Sequence, residues 1–469
     1  MLIRFIFYEA EHMLAKSYVS VLTAACILTF AVASPVRAEE TADELANIAL
    51  SLFKDEGSKR DEAVEYFTKR SKADAAPALI LALRFSRDDK ALVSALEKLT
   101  GVKAGSDWAD WMLWQESNPQ AGVMPGFASF QSKVLAEIDP NFQIFLPASG
   151  DVKHEIRLEE ITWGGVVKDG IPALNNPQLI ATGKASYLND SDLVFGVEIN
   201  GDVRAYPLRI MDWHEMFNDV IGGVPVALAY CTLCGSGVLY ETTVDKFPAP
   251  LIFGSSGFLY RSNKLMYDTA THSLWNQFTG RPVVGALTGS GITLNTRPVV
   301  ITSWGEWKAL NPNGKVLAQD TGFMRDYSPG RAYGQYFASS DLMFPTNVDQ
   351  SELKQKDYVF ALRSSTIEKA WPLKLFEGGK VINDSAGILD LVLIGDAATR
   401  TVRAYRSERL KFAKSEKPNE VMQDGAIWRV TEDSLVGPDG KTLARLPGHI
   451  AYWFAWSGYF GKSGELARP

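Results

Sequence analysis

A long-period internal repeat constrains this chain more than any other feature. Asp192-Leu-Val-Phe-Gly-Val197 returns 165 residues later as Asp357-Tyr-Val-Phe-Ala-Leu362. At the same offset Tyr206-Pro207-Leu208 meets Trp371-Pro372-Leu373, and Asn218-Asp219 meets Asn383-Asp384. Further on, Leu274-Trp275 is matched by Ile427-Trp428, and Trp304-Gly-Glu-Trp307 by Trp453-Phe-Ala-Trp456. Between these landmarks the pattern is one of short strands closed by Gly and Asn turns. Self-similarity of this kind indicates one structural unit made twice. The expectation is two related β-rich halves, 192–315 and 357–460, joined by a linker at 316–356.

The chain before the repeat is built differently. Residues 40–118 carry apolar residues at three-to-four spacing in four short runs, the signature of amphipathic helices. Thr41 with Glu44 forms a capping box, and Asp88-Asp89 opens a later helix that Gly101 ends. Short helices at near-regular spacing read as a helical-repeat region of the HEAT kind. A Pro/Gly-rich passage from Asn118 to Phe127 then opens a connecting segment, 119–191. Within it, Ile156 to Pro177 has too many turn residues for a helix and suits a loop wall over a neighbouring site. The expected fold class is therefore α+β: an N-terminal HEAT-like region followed by a β-rich domain of two related halves. With 46% hydrophobic and 22% charged residues, composition permits the sizeable core such an arrangement needs.

Residues 1–38 read as an export signal. Lys16 precedes the apolar run Tyr18 to Ala33, and Ser34-Pro-Val-Arg-Ala38 offers small or aliphatic residues at the −3 and −1 positions of a cut after Ala38. The run is shorter than the roughly 20 residues a membrane span needs, so the expectation is a periplasmic or secreted protein with no membrane span after cleavage. Cys26 sits too far inside the run, after a poorly matching Thr23, to be a lipoprotein cysteine. The net charge of −7 disfavours a nucleic-acid partner. The helical region is where a protein partner would dock, and its Trp108–Trp114 cluster is expected to pack the end of the array.

The repeat also locates the chemistry. Cys231-Thr-Leu-Cys234-Gly235 lies between two apolar runs, Val224 to Tyr230 and Val238 to Tyr240, so both thiols sit on a tight turn. His214 lies one element earlier, in Asp212-Trp-His-Glu215. At the 165-residue offset His214 falls on Gly379, Cys231 on Asp396 and Cys234 on Thr399. The second half keeps the strand and turn landmarks but lacks these three residues, which places a site in the first half.

Taken together, Ile161-Thr-Trp-Gly-Gly-Val166, Asp169-Gly-Ile-Pro172, Tyr206-Pro-Leu208, Trp213-His-Glu215 and Tyr230-Cys-x-Leu-Cys-Gly-Ser-Gly237 resemble a bacterial family known as domain of unknown function 3179. Tyr267-Asp268, Ser273-Leu-Trp-Asn-Gln277 and Trp453-Phe-Ala-Trp456 add to that resemblance, which covers about 150–460. It implies that these motifs belong together and implies no activity. In one respect the halves depart: Asp424 to Trp428 is a shorter loop than Asp268 to Trp275.

Three chemistries fit the cysteine turn. A Cys-x-x-Cys hairpin aims two sulfurs one way and suits copper or zinc, with His214 completing a Cys₂His site and Asp212, Glu215, Asp268 and His272 as supporting residues. The pair could instead cycle between dithiol and disulfide as a periplasmic thiol–disulfide oxidoreductase, although the Gly235-Ser-Gly exit is not the helix N-terminus that usually activates such a thiol. The third is a structural disulfide in a non-catalytic scaffold. Haem is disfavoured because Gly235, not His, follows Cys234. No phosphate-binding loop points to a nucleotide, and whether the chain is an enzyme stays open.

Overall fold

The computed structural model describes residues 40–54, 57–461 and 464–468. The export signal and Cys26 lie outside the described residues. Among those residues the fold is mixed α+β, with helices concentrated before residue 137 and sheets after 160. No described helix is long and apolar enough to cross a membrane.

Six helices precede the sheets: α1 (Ala42–Lys54), α2 (Ser58–Arg70), α3 (Ala76–Leu83), α4 (Lys90–Thr100), α5 (Trp108–Ser117) and α6 (Phe127–Ala136). Their ends follow the local signals. Thr41 and Glu44 exchange N–H bonds of 3.0 and 3.2 Å at the start of α1. The Asp89 carboxylate accepts from the N–H groups of Ala91 and Leu92 at 3.0 Å, and Gly101 ends α4 in the left-handed region. The buried core of this region runs from Leu45 through Trp111 to Phe127, Phe130 and Val134. It thus takes in α6, beyond residue 118.

The sheets after residue 160 contain two arrangements of the same order. In one, Leu193–Ile199 and Asp202–Pro207 form an antiparallel hairpin, flanked by antiparallel Val300–Ser303 on one side and parallel Lys315–Leu317 on the other. In the other, Tyr358–Arg363 and Glu368–Pro372 form the hairpin, flanked by antiparallel His449–Tyr452 and parallel Glu465–Leu466. A short helix, α7 (Leu208–His214), leaves the first hairpin, and a 3-10 turn, Leu373–Phe376, leaves the second. After the flanking strands come α8 (Trp304–Leu310) and, beyond the five-residue α9 (Gly334–Ala338), α10 (Trp453–Phe460). The N–H of Trp304 donates to Asp192 O at 2.7 Å, and that of Trp453 to Asp357 O at 2.8 Å.

The agreement reaches individual side chains. The Asn218 amide makes two bonds of 2.9 Å with the backbone of Phe253, and Asn383 makes two of 2.8 Å with Phe412. Trp275 packs edge-on against Phe253 at 5.3 Å, and Trp428 against Phe412 at 5.4 Å. Tyr206 donates to Asp219 and Trp371 to Asp384, each at 2.7 Å. A single apolar core contains residues from both arrangements, among them Phe195, Tyr230, Phe360, Trp371 and Leu391. One strand feeding it, Val-Pro-Val-Ala-Leu-Ala-Tyr-Cys, is apolar throughout and buried from Val226 on, because both of its faces are covered there.

The segment expected to be a linker, 316–356, does more than connect. It contributes α9 and the buried side chains Tyr327, Tyr336, Phe344 and Leu353 to the described structure. Long stretches without regular structure in a packed region are commonly functional, and this one crosses the cysteine turn.

Candidate functional site

The sequence folds locally to bring a carboxylate beside the cysteine turn. α7 ends when Glu215 takes a left-handed conformation, φ 54°, with its N–H on Met211 O at 2.7 Å. The chain then enters the strand Met216–Ile221, which pairs with Val224–Cys231, so Glu215 O receives the Tyr230 N–H at 2.8 Å. Val224–Cys231 in turn pairs with Ser236–Glu241, Cys231 facing Ser236. The intervening turn is tied by Cys234 N–H to Cys231 O and Gly235 N–H to Thr232 O, both 3.2 Å. Gly235 has φ 60°, and a Cβ there would lie 3.1 Å from the rings of Tyr358 and Tyr452. Glycine is thus required by both backbone and space.

Cys231 and Cys234 are joined in a disulfide and buried, at 3% and 0% exposure. Polar groups surround it. The Thr232 hydroxyl, on the residue after Cys231, donates to Glu215 at 2.7 Å. The Lys264 ammonium donates to the other Glu215 oxygen at 2.7 Å, in an ion pair with side chains only 4% and 11% exposed. Ser262 O lies 3.4 Å from the Cys234 sulfur. Burying an ion pair costs several kcal/mol per charge, recovered only when the remaining bonding capacity is satisfied. Thr232 supplies part of that satisfaction.

Asp212 lies on the same side. Burial pushes its carboxyl up to about 7; the Tyr230 hydroxyl, at 3.0 Å, opposes this, the Glu215 charge adds to it, and Arg400 opposes it. Arg400 comes from the turn after Leu389–Asp396 and lies 4.3 Å over the Tyr358 ring. Tyr358 stacks on Tyr452 at 4.4 Å, with their hydroxyls 2.9 Å apart. The linker covers the turn: Tyr336 donates to Leu233 O at 2.7 Å and Tyr333 to Glu215 at 3.5 Å.

The other expected ligands are engaged elsewhere. His214 Nδ1 faces Pro172 O at 2.8 Å, so this nitrogen carries the proton, and Nε2 accepts from the Tyr327 hydroxyl at 2.6 Å. Burial lowers its pKa, which favours the neutral form. Both nitrogens are taken, and His214 is not presented to the sulfurs. Pro172 belongs to the passage expected to be a loop wall. Asp268 accepts from Thr271 N–H at 2.6 Å, the Thr271 hydroxyl at 2.8 Å and Trp275 Nε1 at 2.8 Å, bonds that fold its own turn. His272, φ 57°, lies against the Tyr267 ring. Among the described residues no group of three or more His, Cys, Asp and Glu side chains is placed to hold a metal ion. The structure therefore gathers Cys231, Cys234, Glu215 and Asp212, but not His214, Asp268 or His272.

A family model described as "Protein of unknown function (DUF3179)" matches residues 168–463. The chain belongs to the DUF3179 family. The match takes in both hairpins, the cysteine turn and α10; the helical region and Ile161–Val166 precede it, and the flanking strand Glu465–Leu466 follows it. No curated protein and no solved structure matches the chain. Sequence reasoning missed Lys264, Thr232, Arg400 and the tyrosine pair Tyr358–Tyr452. Only Lys264 left a signal, as a lone cation in the apolar strand Asn263–Asp268. Thr232 lies inside the cysteine turn but its bond to Glu215 is not legible from spacing, and Arg400, Tyr358 and Tyr452 are remote in sequence and meet the site only through the fold.

Proposed function

We propose that Cys231 and Cys234 form a thiol–disulfide redox pair. The observation that carries this reading is a disulfide closed around two residues, one of which, Thr232, is seated on a buried Lys264–Glu215 ion pair. So short a loop adds only about 2 kcal/mol to stability by chain entropy, less than a long loop would. The buried charges around it are costly for a mere staple. A partner dithiol is the reductant the reading requires. One partner thiolate attacks a sulfur of the pair and breaks the S–S bond; the second partner thiol then resolves the mixed disulfide. The partner leaves as a disulfide, and Cys231 and Cys234 take up two electrons and two protons. As a thiol, Cys234 has an acceptor ready in Ser262 O at 3.4 Å. Export to a periplasmic or extracellular setting belongs to the same reading, since disulfides persist there.

A copper or zinc site on the reduced cysteines would require His214 to give up Pro172 and Tyr327, so metal binding stands as an alternative result of the test. The test uses Cys234→Ser, with Cys231 first converted to its mixed disulfide with thionitrobenzoate. A thiolate of a partner protein should attack that disulfide, release thionitrobenzoate and leave a covalent adduct that dithiothreitol releases. Absence of an adduct from both single-serine variants, with reduced wild type binding one equivalent of copper or zinc that Cys231→Ser loses, would replace redox with metal chemistry.

The same reading treats 192–317 and 357–467 as two copies of one unit, supported by the paired Asn218/Asn383 and Trp275/Trp428 contacts, with the site in one copy only. For the helices before them, packing of α1 on α2 and α3 on α4 suits a HEAT-like array, while packing of α6 against α1 suits a closed bundle. Either would leave an outer face for a protein partner.

A further inference from the structure

The sheet that follows the second hairpin arrangement carries a cleft of ≈ 500 Å³. It lies where Lys380–Ala386, Leu389–Asp396 and Thr401–Arg406 meet α8, and its volume is that of a small-molecule site. Its apolar surface comes from Val381, Ile394, Ala309 and Leu310, the last 46% exposed. Arg403 lines it and is 9% exposed. Its Nε and Nη2 are spent on Glu432, at 2.7 and 2.6 Å, and Nη1 has no partner among the described residues. A buried guanidinium with a free edge calls for an acceptor.

The rest of the lining defines that acceptor's molecule. Basic and acidic side chains line the cleft in equal number, so nothing favours a simple anion. Lys417 pairs with Glu420 at 3.1 Å, and Lys414 donates to the carbonyls of Gly378 and Gly379 at 2.8 and 3.0 Å. Burial holds Arg403 below its usual range, and Tyr405 and Glu306 act in the opposite direction. Glu306, at an exposed position of α8, receives the Thr302 hydroxyl at 2.8 Å, lines the same cleft and acts electrostatically on Arg403. The lining thus presents Arg403 and Glu306 beside an apolar wall, with Lys380, Asp396 and Glu416 also on the cleft.

We propose that this cleft binds a small zwitterion of the amino-acid or short-peptide class, with its carboxylate on Arg403, its ammonium on Glu306 and its apolar side chain on Val381 and Ile394. The inference is independent of the thiol chemistry.

Isothermal titration of the full chain with L-leucine and L-leucyl-L-leucine tests it. One of the two should bind saturably at one site. The half-analogues 4-methylpentanoate and 3-methylbutylamine should each bind at least about tenfold more weakly, the loss expected for one charged hydrogen-bonding partner. Glu306→Gln should weaken the zwitterion by a similar factor, and Ala309→Trp, on an exposed helix position, should block the cleft without unfolding the chain. No saturable heat from either zwitterion overturns the proposal. So does equal binding of a half-analogue, or binding unchanged in both variants.

Discussion

Two hairpins in this molecule have strands of the same lengths, eight and six residues, yet their turns are closed and covered differently. The turn after Val224–Cys231 is closed by a disulfide, packed against Tyr358 and Tyr452 and covered by the linker through Tyr336. The turn after Leu389–Asp396 has Arg400, at φ 55°, where the first has Gly235, and its hairpin borders an open cleft. Hairpins of equal strand length thus enclose a disulfide in one case and border a hollow in the other. Both turns meet Tyr358, Gly235 at its edge and Arg400 over its face; the difference is that only the first is closed by a disulfide and covered by the linker.

The comparison breaks most readily at Lys264. Lys264→Met leaves Glu215 charged and buried without its cation, and should cost about 3–5 kcal/mol of unfolding free energy in a denaturant titration. Lys380→Met, at the position matching Glu215 in the other hairpin, is exposed and should change stability by less than about 0.5 kcal/mol. Equal effects would erase the distinction. Next in size is Gly235→Val. It adds left-handed strain to a collision with two rings and should cost about 2–4 kcal/mol, whereas Arg400→Gly should be neutral or mildly stabilising. Replacing both cysteines by serine should cost about 2 kcal/mol, the chain-entropy value for so short a loop. A much larger loss would make the disulfide a staple.

The smallest effect is with pH. The carboxyl of Asp212 is pushed up to about 7, chiefly by burial, above its value in the unfolded chain. Its favourable contribution is therefore present in acid and lost as pH rises through 7. Between pH 6 and 8 the loss should be about 1.4 kcal/mol. Glu116, in the helical region, is also pushed to about 7 by burial and adds a loss of the same sign. Asp212→Asn should remove only the first part, visible as a flatter stability profile across that window.

Much of this was legible beforehand. The capping residues Thr41, Asp89 and Gly101 act locally, and local signals survive into the structure. The family could be read from short runs such as Tyr230-Cys-x-Leu-Cys-Gly, because those residues are adjacent in the chain. The site was legible in place but not in partners. His214 looked like a ligand because it sits one element before the turn, yet α7 directs it to Pro172 and Tyr327, while the neighbouring Glu215 meets Thr232. A single residue of phase at the end of a short helix decides which side chain reaches the turn. Lys264, Arg400 and Tyr452 reach the site from strands and turns far along the chain, and spacing alone carries no information about such meetings.

The central claim is that the buried pair is reversibly reducible in the folded protein. Equilibrating the full chain in dithiothreitol redox buffers, alkylating free thiols and counting labels by mass, with circular dichroism recorded at each point, tests it directly. The expected result is a two-electron transition that labels Cys231 and Cys234 together while the spectrum stays native. A pair that is labelled only once the protein has unfolded would contradict the account and leave the disulfide a structural bond.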